Sequence, residues 1–169
     1  MRPVEKSTLG ILRELQENNF TVLALTARPP SWAKGTLKQI ASLDIDFSKT
    51  SPRIPLESKR KINDMSYQGG VIFLEPGSEK GSSLVNFINA SKLDPKKIVF
   101  IDDKPNNVKS VDAALNEAGI ENIEFRYGAA DERVRNFDSK IASFEYHYFL
   151  LHKVFISDEK AKALLSKRN

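Results

Sequence analysis

Short apolar runs alternate with amphipathic helical patterns along this chain. The helical patterns place apolar residues three and four positions apart, as in residues 5–18. The runs are too short for helices and are apolar without alternation, which is typical of buried parallel strands. They lie at residues 21–26, 71–74, 98–101 and 123–127. This order predicts the α/β class, with a parallel sheet flanked by helices.

The pattern also predicts how the chain is organised. We expect an α/β core over residues 1–135 and a helical C-terminal segment over residues 136–169 that packs on the core. Residues 44–69 are rich in Ser, Pro, Lys and Arg and have no sustained period, so a loop or small insertion is expected there. The aromatic residues of the C-terminal segment could form a partner or membrane surface, but docking of a terminal helix on the sheet explains them better.

Composition narrows the classes of function. A chain of 169 residues with no cysteine excludes disulfides, zinc thiolates and cysteine nucleophiles. The net charge of +4 comes from scattered basic residues, so no nucleic-acid partner is expected. No apolar run approaches the roughly 20 residues of a membrane-spanning helix. The first residues carry no apolar signal core, so the chain as given is expected to be cytoplasmic, although removal of a signal would leave the same picture.

Polar side chains follow three of the predicted strands. They are Thr26, Lys80 a few residues after the second strand, and the pair Asp102 and Asp103. Reactive groups of parallel sheets lie beyond the carboxyl ends of the strands. A hydroxyl and an ammonium there suit an anion, and paired carboxylates suit a hard cation such as Mg²⁺. Each residue alone also fits a structural role, as a strand end, a solvated lysine or a helix cap.

Three segments carry these residues in an order that resembles the haloacid dehalogenase (HAD) superfamily of Mg²⁺-dependent phosphatases and phosphotransferases. Residues 22–28 (VLALTAR) resemble its second motif, residues 77–81 (GSEKG) its third, and residues 98–107 (IVFIDDKPNN) its fourth. The resemblance runs from about residue 5 to residue 130. Within the superfamily the chain is most similar to an uncharacterised group of bacterial HAD-like proteins.

The resemblance implies a Rossmann-like, three-layer sheet with a site for a small phosphorylated substrate. Thr26, with its neighbour Ala27, would bind the phosphoryl group, and Lys80 would stabilise its charge. Asp102 would ligate Mg²⁺, and Asp103 would support the metal site or orient Lys80. A hydroxyl, an ammonium and a metal ion that converge on a phosphoryl group can stabilise the charge of its transition state.

The superfamily's first motif, an Asp-x-Asp that supplies the nucleophile, has no match before Thr26, because no aspartate precedes that residue. Residues 44–48 (DIDFS) have the lettering, but they follow Thr26 and a helical pattern, which is the wrong topological place. The first strand of the family would lie between the strands that end at Thr26 and Asp102. Without it the chain is a fragment, the two strands close up, or another segment or subunit fills the gap; we expect a fragment.

Two functions therefore remain open. One is Mg²⁺-dependent phosphomonoester hydrolysis by a longer protein, of which this chain, lacking the nucleophile, would be inactive alone. The other is a non-catalytic binding module.

Other interpretations of the same residues are disfavoured. A receiver domain is disfavoured because its carboxylate pair precedes its threonine and lysine. A P-loop is disfavoured because Lys80 precedes Gly81 rather than following a glycine. His147 and His152 are five residues apart on a predicted helix, so a shared metal is not expected.

Overall fold

The computed structural model describes residues 3–54 and 65–167. It divides into two compact units, Met1–Ala129 and Ala130–Asn169. The first unit contains strands and helices, which confirms the α/β class, and the second is helical. Residues 55–64 of the expected insertion lie outside the described residues. The docking of the C-terminal segment on the core stays a prediction.

The first unit contains four helices and five strands in the described residues, with two short 3-10 helices at Pro30–Trp32 and Phe47–Lys49. The helices are α1 (Thr8–Glu17), α2 (Ala33–Ala41), α3 (Lys80–Ser91) and α4 (Pro105–Glu117). The strands are β1 (Ala24–Thr26), β2 (Met65–Gln68), β3 (Val71–Leu74), β4 (Lys97–Asp102) and β5 (Glu121–Arg126). The four expected strands correspond to β1, β3, β4 and β5.

The first sheet is mixed and has the order β1-β3-β2. β1 runs parallel to β3, with Ala24 opposite Val71, whereas β2 is antiparallel to β3. The expectation of a purely parallel sheet is wrong here, because β2 and β3 form a hairpin. Its two-residue turn is Gly69-Gly70, both at positive φ, a conformation that glycine adopts at little cost.

The second sheet contains β4 and β5 in parallel register, from Lys97 opposite Glu121 to Asp102 opposite Arg126. Within the described residues no ladder joins it to the first sheet. The strands therefore form two sheets where the sequence predicted one.

Helix α3 provides the core beneath both sheets. Phe87 packs with Ile72 and Tyr67 of the first sheet, and its ring lies 5.1 Å from that of Tyr67. From the same helix, Leu84 packs with Phe100 of β4 in a second cluster. Leu25 of β1 contacts both clusters. Burial of this apolar surface is the main stabilising contribution to the unit.

The second unit contains α5 (Asp131–Arg135), α6 (Ser139–His152) and α7 (Asp158–Ser166). Helices α6 and α7 start at caps, since the side chain of Asp138 accepts from Lys140 N and that of Ser157 accepts from Lys160 N. The rings of Phe149 and Phe155 stack with their centroids 4.2 Å apart. In the described residues no helix is long and apolar enough to cross a membrane.

Candidate functional site

Lys80 joins the carboxyl ends of β1 and β4. It is the first residue of α3, and its Nζ donates to the carbonyl oxygen of Leu25 at 2.9 Å and to Oδ2 of Asp102 at 2.6 Å. The side chains of this ion pair are 11% and 6% exposed. The structure therefore brings Lys80 and Asp102 into direct contact. Lys80 also contacts Leu25, the residue before Thr26.

The Asp102 carboxylate accepts three hydrogen bonds from the protein. Its Oδ1 accepts from Lys104 N at 2.8 Å and from Asn107 Nδ2 at 2.9 Å. Burial alone would raise the pKa of Asp102, but the hydrogen bonds from Lys80, Lys104 and Asn107 outweigh it and hold the pKa below its ordinary value. The carboxylate is therefore ionised at neutral pH and fixes the start of α4 against Lys80.

A close helix contact holds Lys80 in place. Gly81 N donates to Oγ of Ser110 on α4 at 3.2 Å. A Cβ at Gly81 would lie 2.1 Å from the carbonyl oxygen of Ser110, so a larger residue would push the helices apart. The glycine that follows Lys80 thus fixes the first turn of α3 on α4.

Thr26 ends β1 and follows Leu25, whose carbonyl oxygen accepts from Lys80. Its Oγ1 accepts from Arg28 N at 3.2 Å, which leaves its own hydroxyl proton to be donated to another group. Arg28 is anchored on α2 through Thr36 at 3.2 Å and Gln39 at 2.7 Å. Ala27, between Thr26 and Arg28, is exposed.

Asp103 takes a different position from its neighbour. It is exposed, and its backbone oxygen accepts from Nε of Arg126 at 3.1 Å. The direct contact with Lys80 is made by Asp102, the last residue of β4, whereas Asp103 lies one residue beyond the strand. The role in orienting Lys80 that the resemblance implies for Asp103 stays a prediction. Its other predicted role, in support of a metal, stays a prediction.

Sequence reasoning missed two members of the site. The Leu25 carbonyl has no sequence signal, since backbone groups carry none. Asn107 lies in the 98–107 segment, five residues after Asp102 and in the first turn of α4, and that position could have indicated it. Both serve to hold Lys80 and Asp102 in place.

Asp102 is the residue that would hold Mg²⁺, an ion that usually keeps several water ligands and binds one or two carboxylates. The described residues contain no group of three or more His, Cys, Asp or Glu side chains that could hold a metal. Asp102 accepts three hydrogen bonds from the protein. Magnesium binding stays a prediction.

The Asp-x-Asp lettering at residues 44–48 has structural contacts of its own. Asp44 is paired with Arg13 of α1 at 2.7 Å, and both side chains are largely exposed. Asp46 caps the Phe47–Lys49 turn through Ser48, and the Ser48 hydrogen bond lowers the pKa of Asp46. These contacts hold both carboxylates in surface roles.

The family model described as "Protein of unknown function (DUF2608)" matches residues 1–162, and the chain belongs to this family. Proteins named "Putative outer membrane protein" are similar over almost the whole chain. One from Chlamydia pneumoniae is 26% identical over 98% of this chain, one from Chlamydia trachomatis 28% over 99%, and one from Chlamydia muridarum 27% over 99%. The chain spans about 60% of the length of these relatives. No solved structure matches the chain significantly.

These findings correct the family that the sequence motifs suggested. The chain matches DUF2608, so membership of the HAD superfamily is wrong, and none of the named relatives carries a hydrolase or phosphatase name. A threonine, a lysine and two aspartates at strand ends follow from the general placement of polar groups in parallel sheets, which many families share. The relatives' name concerns those proteins, and a cytoplasmic location of this chain stays a prediction.

Proposed function

We propose that this DUF2608 chain binds a phosphate-bearing ligand at the carboxyl ends of β1 and β4 and acts as a non-catalytic binding module. The observation that carries the proposal is the Lys80 ammonium. It is almost buried, and it is held by Leu25 and Asp102 where the two strands end. A buried, fixed cation at that end of parallel strands is a usual place for an anionic ligand.

The donors around Lys80 support an anion. An ammonium has three N–H donors, of which two are used, and the Thr26 hydroxyl can add another. Further cations follow the strands: Arg28 after β1, Lys104 after β4, and Arg126 at the end of β5. Helices α3 and α4 both begin here, and their N-termini favour negative charge. Phosphate, with several acceptor oxygens, matches this set of donors.

The described carboxylates at these strand ends support binding without catalysis. They are Asp102, which is bound to Lys80, and the exposed Asp103. A carboxylate nucleophile would have to be held against the phosphoryl group, and neither is held in that way. Phosphomonoester hydrolysis by a longer protein stays a prediction.

The test is a titration of the full chain with inorganic phosphate, followed by amide chemical shifts in NMR. We expect shifts at Ala27 and in the first turns of α3 and α4. Thr26→Val, which removes the hydroxyl and keeps the shape, should weaken binding about threefold to tenfold, as expected for one lost hydrogen bond. Lys80→Met should weaken it by about tenfold or more, because a charge-assisted bond is lost.

The matched control is Lys97→Met. Lys97 starts β4 at the opposite end of the strand and forms an exposed pair with Glu121. This variant should leave phosphate affinity within about twofold. Equal losses for Lys97→Met and Lys80→Met would overturn the proposed site. Mg²⁺-dependent turnover of p-nitrophenyl phosphate, abolished by Asp102→Asn, would overturn the non-catalytic role.

A further inference from the structure

Trp32 is exposed on the segment that connects β1 to α2. It is the one tryptophan of the chain, and it is 61% exposed. Tryptophan is highly buried on average, because its ring is large and mostly apolar. A single exposed ring is informative when it lies beside a candidate ligand site, since tryptophan is enriched among residues that dominate binding energy.

The fold places Trp32 at the same edge of the first sheet as Thr26. β1 ends at Thr26, and the chain reaches α2 at Ala33 through a short 3-10 helix. Ala33 is buried in one cluster with Phe73, the residue opposite Thr26 in the β1–β3 ladder. Trp32, the residue before Ala33, therefore lies at the carboxyl ends of these strands, where the anion site is proposed.

The backbone that carries the ring is held in place. Pro29 and Pro30 fix two φ angles ahead of Trp32, and Trp32 N donates to the carbonyl oxygen of Pro29 at 2.9 Å. Arg28, which precedes these prolines, donates to two side chains of α2. Both ends of the connection are thus attached to α2. A ring on a preorganised backbone binds a ligand at a lower entropy cost.

The surroundings of Trp32 suit a flat, apolar group. Gly35 lies three positions further along, where residues share one side of a helix, and the space around it is open. A planar aromatic ring can stack on tryptophan without any other partner. A sugar needs polar side chains for its hydroxyl groups, and within residues 29–35 (PPSWAKG) Ser31 and Lys34 alone have them. The segment therefore favours an aromatic ring over a sugar.

We propose that the ligand is a phosphomonoester that carries a planar aromatic ring, such as a nucleoside monophosphate, and that this ring stacks on Trp32. The inference rests on the proposed function, because Lys80 and Thr26 would hold the phosphate. The start of α2 would bind the ring, while the ends of β1 and β4 bind the anion. Contacts at two points give such a ligand an advantage over free phosphate.

The test uses the tryptophan fluorescence of the full chain, which reports on Trp32 alone because no other tryptophan is present. The probes are adenosine monophosphate, adenosine, ribose phosphate and inorganic phosphate. We expect adenosine monophosphate to quench the fluorescence and to bind about tenfold more tightly than ribose phosphate. This ratio is typical of one base stacked on an aromatic side chain.

Two variants of Trp32 test the stacking by calorimetric titration, which does not depend on its fluorescence. Trp32→Ala should weaken adenosine monophosphate by about tenfold and change the affinity for ribose phosphate by less than about twofold. Trp32→Phe keeps an aromatic ring and should stay within about threefold of the wild type. The far-ultraviolet circular dichroism of both should match the wild type, since the side chain is exposed.

The matched control is Phe20→Ala. Phe20 is 59% exposed, close to the value of Trp32, but it precedes β1 and so lies towards the opposite end of that strand. Its removal should leave the affinity for adenosine monophosphate within about twofold. Equal losses for Phe20→Ala and Trp32→Ala would overturn the assignment of the ring to Trp32.

The outcomes separate this inference from the proposed function. Equal affinities for adenosine monophosphate and ribose phosphate, unchanged by Trp32→Ala, would overturn the stacking and leave the phosphate site standing. Tighter binding of ribose phosphate than of adenosine monophosphate would overturn the aromatic class of ligand. Adenosine that binds as tightly as its monophosphate, with no binding of inorganic phosphate, would overturn both proposals, and so would the absence of binding by every probe.

Discussion

The two sheets of the first unit differ in how many of their faces are covered. β3 has helices on both sides, and all of its side chains from Val71 to Leu74 are buried. Val71 and Phe73 pack on the side of α2, and Ile72 and Leu74 pack on the side of α3. β4 packs one face on α3 and α4, whereas Val99 and Ile101 on its other face are exposed.

The difference shows what a continuous apolar run reports. Residues 71–74 and 98–101 have the same pattern, and both predict a strand that is apolar on two faces. Only the first is covered on both faces. An apolar run therefore indicates that a strand is suited to burial on both faces. Whether both faces are covered depends on other parts of the fold.

The largest expected effect comes from truncation of one phenylalanine in each sheet. Phe73→Ala removes a fully buried ring from the first sheet and should lower the free energy of unfolding by about 3–5 kcal/mol. Phe125→Ala, on the bare face of the second sheet, should change it by less than about 1 kcal/mol. Urea denaturation measures both. Similar losses would mean that the bare face is covered in solution.

The next effect concerns the ion pair that joins the sheets. Asp102→Asn leaves Lys80 almost buried without its charge partner and should cost about 3 kcal/mol at pH 7. Asp44→Asn, which removes a largely exposed pair with Arg13, should stay within about 0.5 kcal/mol. Thermal or urea unfolding of the two variants compares the free energy of unfolding contributed by an almost buried ion pair with that contributed by an exposed one.

The ion pair also gives a pH dependence with a definite sign. The pKa of Asp102 is lowered in the folded state, so the unfolded chain takes up the proton first as the pH falls. The stabilisation is present above the unfolded value of about 3.9 and is lost as the pH falls below it towards the folded pKa. Unfolding free energies of the wild type and Asp102→Asn should therefore converge as the pH falls below about 4. A difference that stays constant as the pH falls below about 4 would contradict the assignment.

The smallest effect separates two glycines in helices. Gly81→Ala would force the start of α3 away from Ser110 and should cost about 2 kcal/mol, because the obstacle is backbone. Gly35→Ala, in α2, meets no atom within 4 Å and should raise stability by up to about 1 kcal/mol through helix propensity. Thermal denaturation distinguishes the signs. A neutral Gly81→Ala would show that the α3–α4 contact is loose.

Much of the secondary structure followed from local pattern. The four apolar runs became strands, and Gly119, which the sequence predicted as the stop of a helix, has φ of 70° two residues after α4 ends. The β2–β3 hairpin was missed although Gly69-Gly70 is a typical two-residue turn signal. Residues 44–69 are rich in Ser, Pro, Lys and Arg and predicted a loop, so the short strand at residues 65–68 was not predicted.

The sequence named candidate residues of the site but not the contacts between them. The structure places Lys80 in contact with Asp102 and with Leu25, the neighbour of Thr26, where parallel strands direct their carboxyl ends to one edge. The functional roles of Thr26, Lys80 and Asp102 stay predictions. The sequence divided the roles of Asp102 and Asp103 by resemblance, and the structure gives the contact with Lys80 to Asp102. Which of two adjacent carboxylates faces a helix depends on the register of β4, which side-chain chemistry does not reveal.

The sequence by itself determined the α/β class, the positions of most strands and helices, and the polar residues that follow the strands. These depend on local periodicity and turn chemistry, which each segment carries alone. The tertiary structure decided that the strands form two sheets, that Lys80 reaches both of them, and that one face of β4 is uncovered. Strand pairing and the covering of sheet faces depend on segments that are distant in the chain. The pattern of one segment indicates what kind of neighbour it needs, but not which segment provides it.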